Sequence, residues 1–154
     1  MLILKTFLEQ FNVTNVINLE DILIINENYF LITKKQKEIT QLQKKPVFIG
    51  NCLGRKKGNT FYPSTAFLDI ISKTYEKQII IDPKTEWLFI CGRDIFQTTE
   101  EKGNPQDNDV ILVMNRFKEC IGIANYTSNS SKKKPIKRLY DIGDYLRRER
   151  TKKL

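Results

Sequence analysis

From Glu76 onward the chain sets short strand-like runs about ten residues apart, with turn-forming residues in the gaps. The runs are QIIID, EWLFICG, DVILVMN and ECIGIANY, and the separators are DPKT, EEKGNPQDND and SNSSKKKP. Strand-length apolar segments bounded by Gly, Pro, Asn and Asp at that spacing predict a small barrel or sandwich. One short helical turn is expected at Gly92 to Phe96.

The first half has a different texture. Leu4, Phe7, Leu8 and Phe11 recur at i, i+3, i+4 and i+7, which predicts an amphipathic helix over residues 2–11. In DILIINENYFLIT, two β-branched and aromatic runs flank Asn26-Glu27-Asn28, and Asn accepts positive φ at low cost, so a hairpin is expected. KKQKEITQLQKK reads as a marginal helix with Ile39 and Leu42 on one face, ended by Pro46. VFIGNCLG reads as a buried strand breaking into a glycine turn, and RKKGNTFYP as a basic loop or short hairpin. Pro63 and Ser64 open a helix expected to turn Ala66, Phe67, Ile70 and Ile71 inward. A boundary between Ser72 and Lys77, without a flexible linker, predicts an α+β protein. Its N-terminal α/β domain (1–74) would pack on a β-rich C-terminal domain (75–154).

Residue usage excludes several function classes. No histidine occurs, which removes Ser-His-Asp and Cys-His nucleophiles and the common zinc sites. Cys52, Cys91 and Cys120 lack CxxC spacing and sit in apolar runs, so buried reduced thiols are expected. Asp82, Glu86, Asp94, Asp141 and Asp144 show no pairing that would split their pKa values, and acids near turns usually cap. No catalytic residue, metal site or cofactor is expected. The apolar runs fall far short of the ~20 residues of a membrane span. MLILKTFLEQF lacks a small-residue cleavage site, so a cytoplasmic protein is expected, nucleolar if the source is eukaryotic.

The formal charge is +8, and residues 132–154 carry most of it, with ten Lys or Arg against Asp141, Asp144 and Glu149. Such a concentration is the footprint of a polyanion binder or of a solubilising segment. If Asp141 caps a short helix, Ile142, Tyr145 and Leu146 share one face and anchor it. Arg147 and Arg148 then project elsewhere, and Arg150, Lys152 and Lys153 trail from its end. A patch making about six phosphate contacts loses roughly a thousandfold in affinity between 50 and 200 mM salt. Elsewhere, RKKG (Arg55 to Gly58) reads as a solvated turn or a secondary nucleic-acid contact, and its spacing is not a Walker A motif. Trp87 lies in EWLFI and is expected to be buried. Tyr62 and Tyr126, each beside a basic loop, are the better candidates for base stacking.

EWLFICGRDIF, DVILVMNRFKECIGIA and YDIGDYLRRE resemble, in order, the segments of a PUA domain. The helix, hairpin, FIGNCLGR and STAFLDIISKTY of the first half resemble the pre-PUA domain of a large-ribosomal-subunit biogenesis factor family of archaea and eukaryotes. That resemblance implies a non-catalytic RNA-binding protein acting on ribosomal RNA precursors with other assembly factors. An RNA-targeting accessory subunit of a methyltransferase or pseudouridine synthase is the alternative. It implies RNA contacts at Arg147, Arg148, Arg150, Lys152 and Lys153, and more weakly at Lys137, Arg138 and Arg93. The N-terminal domain would dock assembly factors or an RNA methyltransferase. CIGIAN carries one glycine where that family commonly shows a pair. An enzyme acting on nucleotides through the RKKG turn is the reading from a different class.

Overall fold

A computed structural model describes residues 1–13, 15–42, 46–128, 135–144 and 147. The chain divides into two compact units, Met1–Thr74 and Tyr75–Leu154.

In the first unit, α1 (Leu2–Glu9) buries Leu4, Phe7 and Leu8, as its apolar period requires. Strands β1 (Ile22–Ile25) and β2 (Asn28–Leu31) form the expected hairpin, with a turn of two residues. Asn26 and Glu27 both have positive φ, 46° and 67°, the twist that a tight two-residue turn needs. Helix α2 (Lys34–Leu42) starts at a reciprocal cap: Gln36 N–H donates to the Thr33 hydroxyl, and Thr33 N–H to the Gln36 side chain. It buries no residue, consistent with its weak apolar face.

Strands β3 (Asn51–Lys57) and β4 (Thr60–Pro63) follow, then α3 (Thr65–Ser72). The four strands make one antiparallel sheet in the order β1-β2-β3-β4. Two expectations shift here. Val47 and Phe48 are exposed and precede the strand, whereas Arg55, Lys56 and Lys57 lie within it. Gly50, at φ +66°, bends the chain so closely over the Leu31 carbonyl that pairing with β2 begins only at Asn51. Helix α3 turns Phe67, Leu68 and Ile71 inward and leaves Ala66 exposed, because the bulkier side chains set the phase of so short a helix. The Ser64 hydroxyl caps it by accepting from Phe67 N–H at 3.1 Å. Aromatic rings dominate this core. Phe7 lies 5.3, 5.1 and 5.9 Å from Phe11, Phe61 and Phe67, and Tyr29 meets Phe61 edge-on.

The second unit holds β5 (Gln78–Ile80), α4 (Pro83–Ile90), β6 (Glu100–Lys102), β7 (Val110–Met114), β8 (Cys120–Asn125) and β9 (Lys137–Asp141). They form a five-stranded sheet in the order β6-β5-β7-β8-β9, with β5 and β7 parallel and the other pairs antiparallel. A parallel pair needs a long connection, which here carries α4 and β6. The core gathers Ile79, Ile81, Phe89, Ile111, Val113 and Ile121, among others, with Ile142 packed against it.

EWLFICG is therefore a helix and not the expected strand. Asp82 accepts from the N–H groups of Lys84 and Thr85, and Pro83 occupies the first turn. Hydrogen bonding, chiefly from the Thr85 hydroxyl, holds the Asp82 carboxyl below its ordinary pKa. At the other end Gly92 (φ +93°) closes the helix: its N–H donates to Phe89 O, and Arg93 N–H to Leu88 O. Only Phe89 is buried, and Trp87 is 67% exposed, so the expected burial of the tryptophan does not occur. Lys84, Trp87, Leu88 and Cys91 fall at i, i+3, i+4 and i+7 on the exposed side. Of the three thiols only Cys120 is buried, whereas Cys91 is exposed and Cys52 half-buried. The helical turn expected at Gly92 to Phe96 is replaced by a bridge between Ile95 and Ile136. The short, charged β6 lies in a stretch expected to be a separator.

Candidate nucleic-acid interface

Strand β9 ends on Asp141, a carboxylate with no solvent exposure. An isolated buried charge costs several kcal/mol, so its partners decide whether it can exist there. Arg147 meets it with a two-pronged guanidinium, Nη1 to Oδ1 at 2.9 Å and Nη2 to Oδ2 at 2.8 Å. Arg138 Nη1 adds a bond to Oδ2 at 2.8 Å, and Gly143 N–H one to Oδ1 at 2.8 Å. Hydrogen bonding with Asp141 holds Arg147 above its ordinary pKa.

The same guanidiniums reach the end of α4. Arg147 Nη1 donates to Ile90 O, and Arg138 Nε to Gly92 O at 3.2 Å, where cations complement the carbonyl end of a helix. Asp94 Oδ1 accepts from Arg138 N–H at 2.9 Å, and Ile95 and Ile136 exchange backbone bonds of 3.0 and 2.8 Å. The loop after α4 is thereby stitched to the start of β9. Gly143 permits the approach, since a Cβ there would overlap Ile90 O and lie 2.6 Å from the Ile90 side chain. The single glycine of CIGIAN has a comparable structural use: a Cβ on Gly122 would lie 2.6 Å from the Phe89 ring.

Arg93 and Lys137, on the two stitched segments, are exposed, and neither forms an ion pair among the described residues. Asp94, the sequence neighbour of Arg93, is directed instead to Arg138. Phe96 and Leu139 are exposed on the same two segments. The eight cations singled out from the sequence thus separate into three groups. Arg138 and Arg147 face inward to Asp141, with side chains 29% and 33% exposed. Arg93 and Lys137 face solvent. Arg148, Arg150, Lys152 and Lys153 lie outside the described residues, as do Tyr145 and Leu146 of the expected C-terminal helix and the Lys132 to Lys134 run. Tyr126 is unsuited to stacking, because it is buried and donates its hydroxyl to Glu101 at 2.6 Å; burial first, then that bond, raises its pKa to about 12. Sequence reasoning missed both the exposed face of α4 and the structural use of Asp141. The signals for α4 were present in Asp-Pro at its start and Gly92 at its end.

Residues 77–150 match the UPF0113 PUA domain. A UPF0113 protein of Archaeoglobus fulgidus is 30% identical over 82 residues, 48% of this chain and 47% of that protein. The chain therefore spans about half the length of the curated relative it matches. Among solved structures, a conserved PUA domain protein from Thermoplasma acidophilum is similar with a TM-score of 0.57 at 13% identity, covering 95% of this chain and 93% of that one. A hypothetical protein of Pyrococcus horikoshii gives 0.51 at 10% identity, covering 90% and 87%. These likenesses establish an α+β fold with PUA-domain neighbours, and a PUA domain suggests RNA binding. Among the described residues no helix is long and apolar enough to cross a membrane.

Proposed function

We propose that this protein binds RNA without catalysing a reaction, and that it acts in ribosomal RNA processing and large-subunit assembly. The observation that carries the reading is the stitched loop and strand of the PUA domain, on which Arg93 and Lys137 are exposed and form no ion pair among the described residues. Two cations fixed by a folded scaffold meet phosphates with less ordering entropy than two on a mobile segment. Arg148, Arg150, Lys152 and Lys153 extend that surface in this proposal. Arg138 and Arg147 are positioning residues in it: they hold the loop, and their partly exposed edges add positive potential. The N-terminal unit serves as the docking side for assembly factors.

A second reading, an RNA-targeting accessory subunit of a modifying enzyme, is supported by the exposed Trp87 and Leu88 of α4, which fit a protein partner.

The test is RNA affinity across salt concentrations. Arg93→Ala with Lys137→Ala is expected to weaken binding about tenfold for all sequences and to lower the salt slope by about 1.4 for single strands. Unchanged affinity would remove this surface from the proposal. Trp87, the single tryptophan of the chain, supplies a second readout. RNA laid against α4 quenches its fluorescence, whereas binding without quenching leaves that face to a protein.

A further inference from the structure

The RKKG segment, which the PUA surface does not use, lies in the N-terminal unit and is strand and turn together. Arg55, Lys56 and Lys57 close β3, and Gly58, at φ +59°, turns the chain into β4. Their cross-strand partners are Asn28, Tyr62, Phe61 and Thr60, none of them acidic. None of the three forms an ion pair among the described residues. The β1–β2 turn comes to the same end of the sheet, where Lys56 N–H donates to Glu27 O at 2.8 Å. Between the two turns is a concavity of about 170 Å³ lined by Asn26, Glu27, Asn28, Arg55, Lys56 and Lys57.

We propose that this concavity is a second phosphate-binding site, one that holds the backbone of single-stranded RNA. Three successive cations share this concavity with a single carboxylate, Glu27, and the excess positive charge favours an anion there. Arg55 and Lys57 point to one face of β3, about 6.6 Å apart along the strand, while Lys56 points to the other. Charge spread along a strand suits a chain of phosphates better than one free anion. The amide side chains of Asn26 and Asn28 add polar groups at the rim, and Glu27 is the lone opposing carboxylate. The inference rests on RNA being the ligand of this protein, as proposed above, but places a contact in a different unit.

The experiment measures binding of a labelled single-stranded RNA of mixed sequence to the full chain between about 50 and 200 mM salt. Arg55→Ala with Lys57→Ala is expected to weaken binding about tenfold and lower the salt slope by about 1.4, with an unaltered melting temperature. Glu27→Gln, which removes the opposing charge, is expected to tighten it about twofold. Unchanged RNA affinity in both variants overturns the site while leaving the PUA surface standing. If Arg93→Ala with Lys137→Ala is silent and the Arg55 and Lys57 pair is not, the PUA surface fails and this site stands. If the wild-type chain binds no RNA, both fail. Saturable displacement of the RNA by inorganic phosphate beyond the effect of ionic strength overturns the site in favour of a free-anion pocket. Equal competition by poly-glutamate overturns it in favour of an acidic protein.

Discussion

In the N-terminal unit, Arg55, Lys56 and Lys57 stand on a strand and form no ion pair among the described residues, over a core closed by Phe7, Phe61 and Phe67. In the C-terminal unit, Arg138 and Arg147 are drawn inward by one buried carboxylate, and a charged cluster joins β9 to α4. The difference teaches that a cation's availability is not a property of its sequence neighbourhood. Asp141 lies three residues from Arg138 and six from Arg147, and its burial claims both. The RKKG run has no such claimant and keeps its charge at the surface. The units also differ in what holds them: one depends on ring packing, the other in part on the satisfaction of a buried charge.

The sharpest way to break that contrast is to remove one support from each unit. Phe7→Ala is expected to cost about 4 kcal/mol, because the ring is buried and touches three others. Its cost should be indifferent to salt, as measured by urea unfolding followed by far-ultraviolet circular dichroism. Asp141→Asn is expected to cost about 3 kcal/mol, the low end for a broken buried pair, since both guanidiniums are about a third exposed. Here Trp87 fluorescence is the appropriate signal, because the only tryptophan is in that unit. The variant should also loosen the Gly92 to Ile95 loop, seen as faster amide exchange at Arg138 and Ile95. Equal salt dependence of the two losses would erase the distinction.

A smaller effect sharpens it through pH. The phenol of Tyr126 ionises near 10 in the unfolded chain and at about 12 in the folded one. Its contribution is fully present below pH 10 and declines as pH rises from about 10 to about 12, because the unfolded state loses its proton first. An alkaline titration of tyrosine absorbance should show the delayed phenol of Tyr126, and Glu101→Gln should bring it closer to 10. The raised pKa of Tyr75, due to burial and then to Asp109, acts in the same direction.

The legibility of the two units differed for related reasons. In the first, α1, the hairpin and α3 declare themselves because their apolar residues face the core at the period of the element. The start of β3 was misplaced because VFI is apolar but has no sheet neighbour. In the second, β5, β7 and β8 read correctly, as their apolar runs are buried, whereas β9 is KRLYD and carries no such run. Helix α4 did not, because Trp87 and Leu88 face solvent and conceal its period. Of the candidate site, the supply of cations was readable, and the resemblance named Arg93 and Lys137 only as weaker contacts. The inward turn of Arg138 and Arg147 was not.

The α+β class, the absence of histidine chemistry and the supply of cations are properties of residue type and spacing, which act over a few positions and need no fold to be read. The tertiary structure alone decided which cations remain free, because that depends on which carboxylate is buried and which guanidiniums turn inward to it. A hydrogen bond from Arg147 to Ile90 joins residues 57 positions apart. Desolvation of Asp141 makes such contacts necessary, and only packing determines what is desolvated.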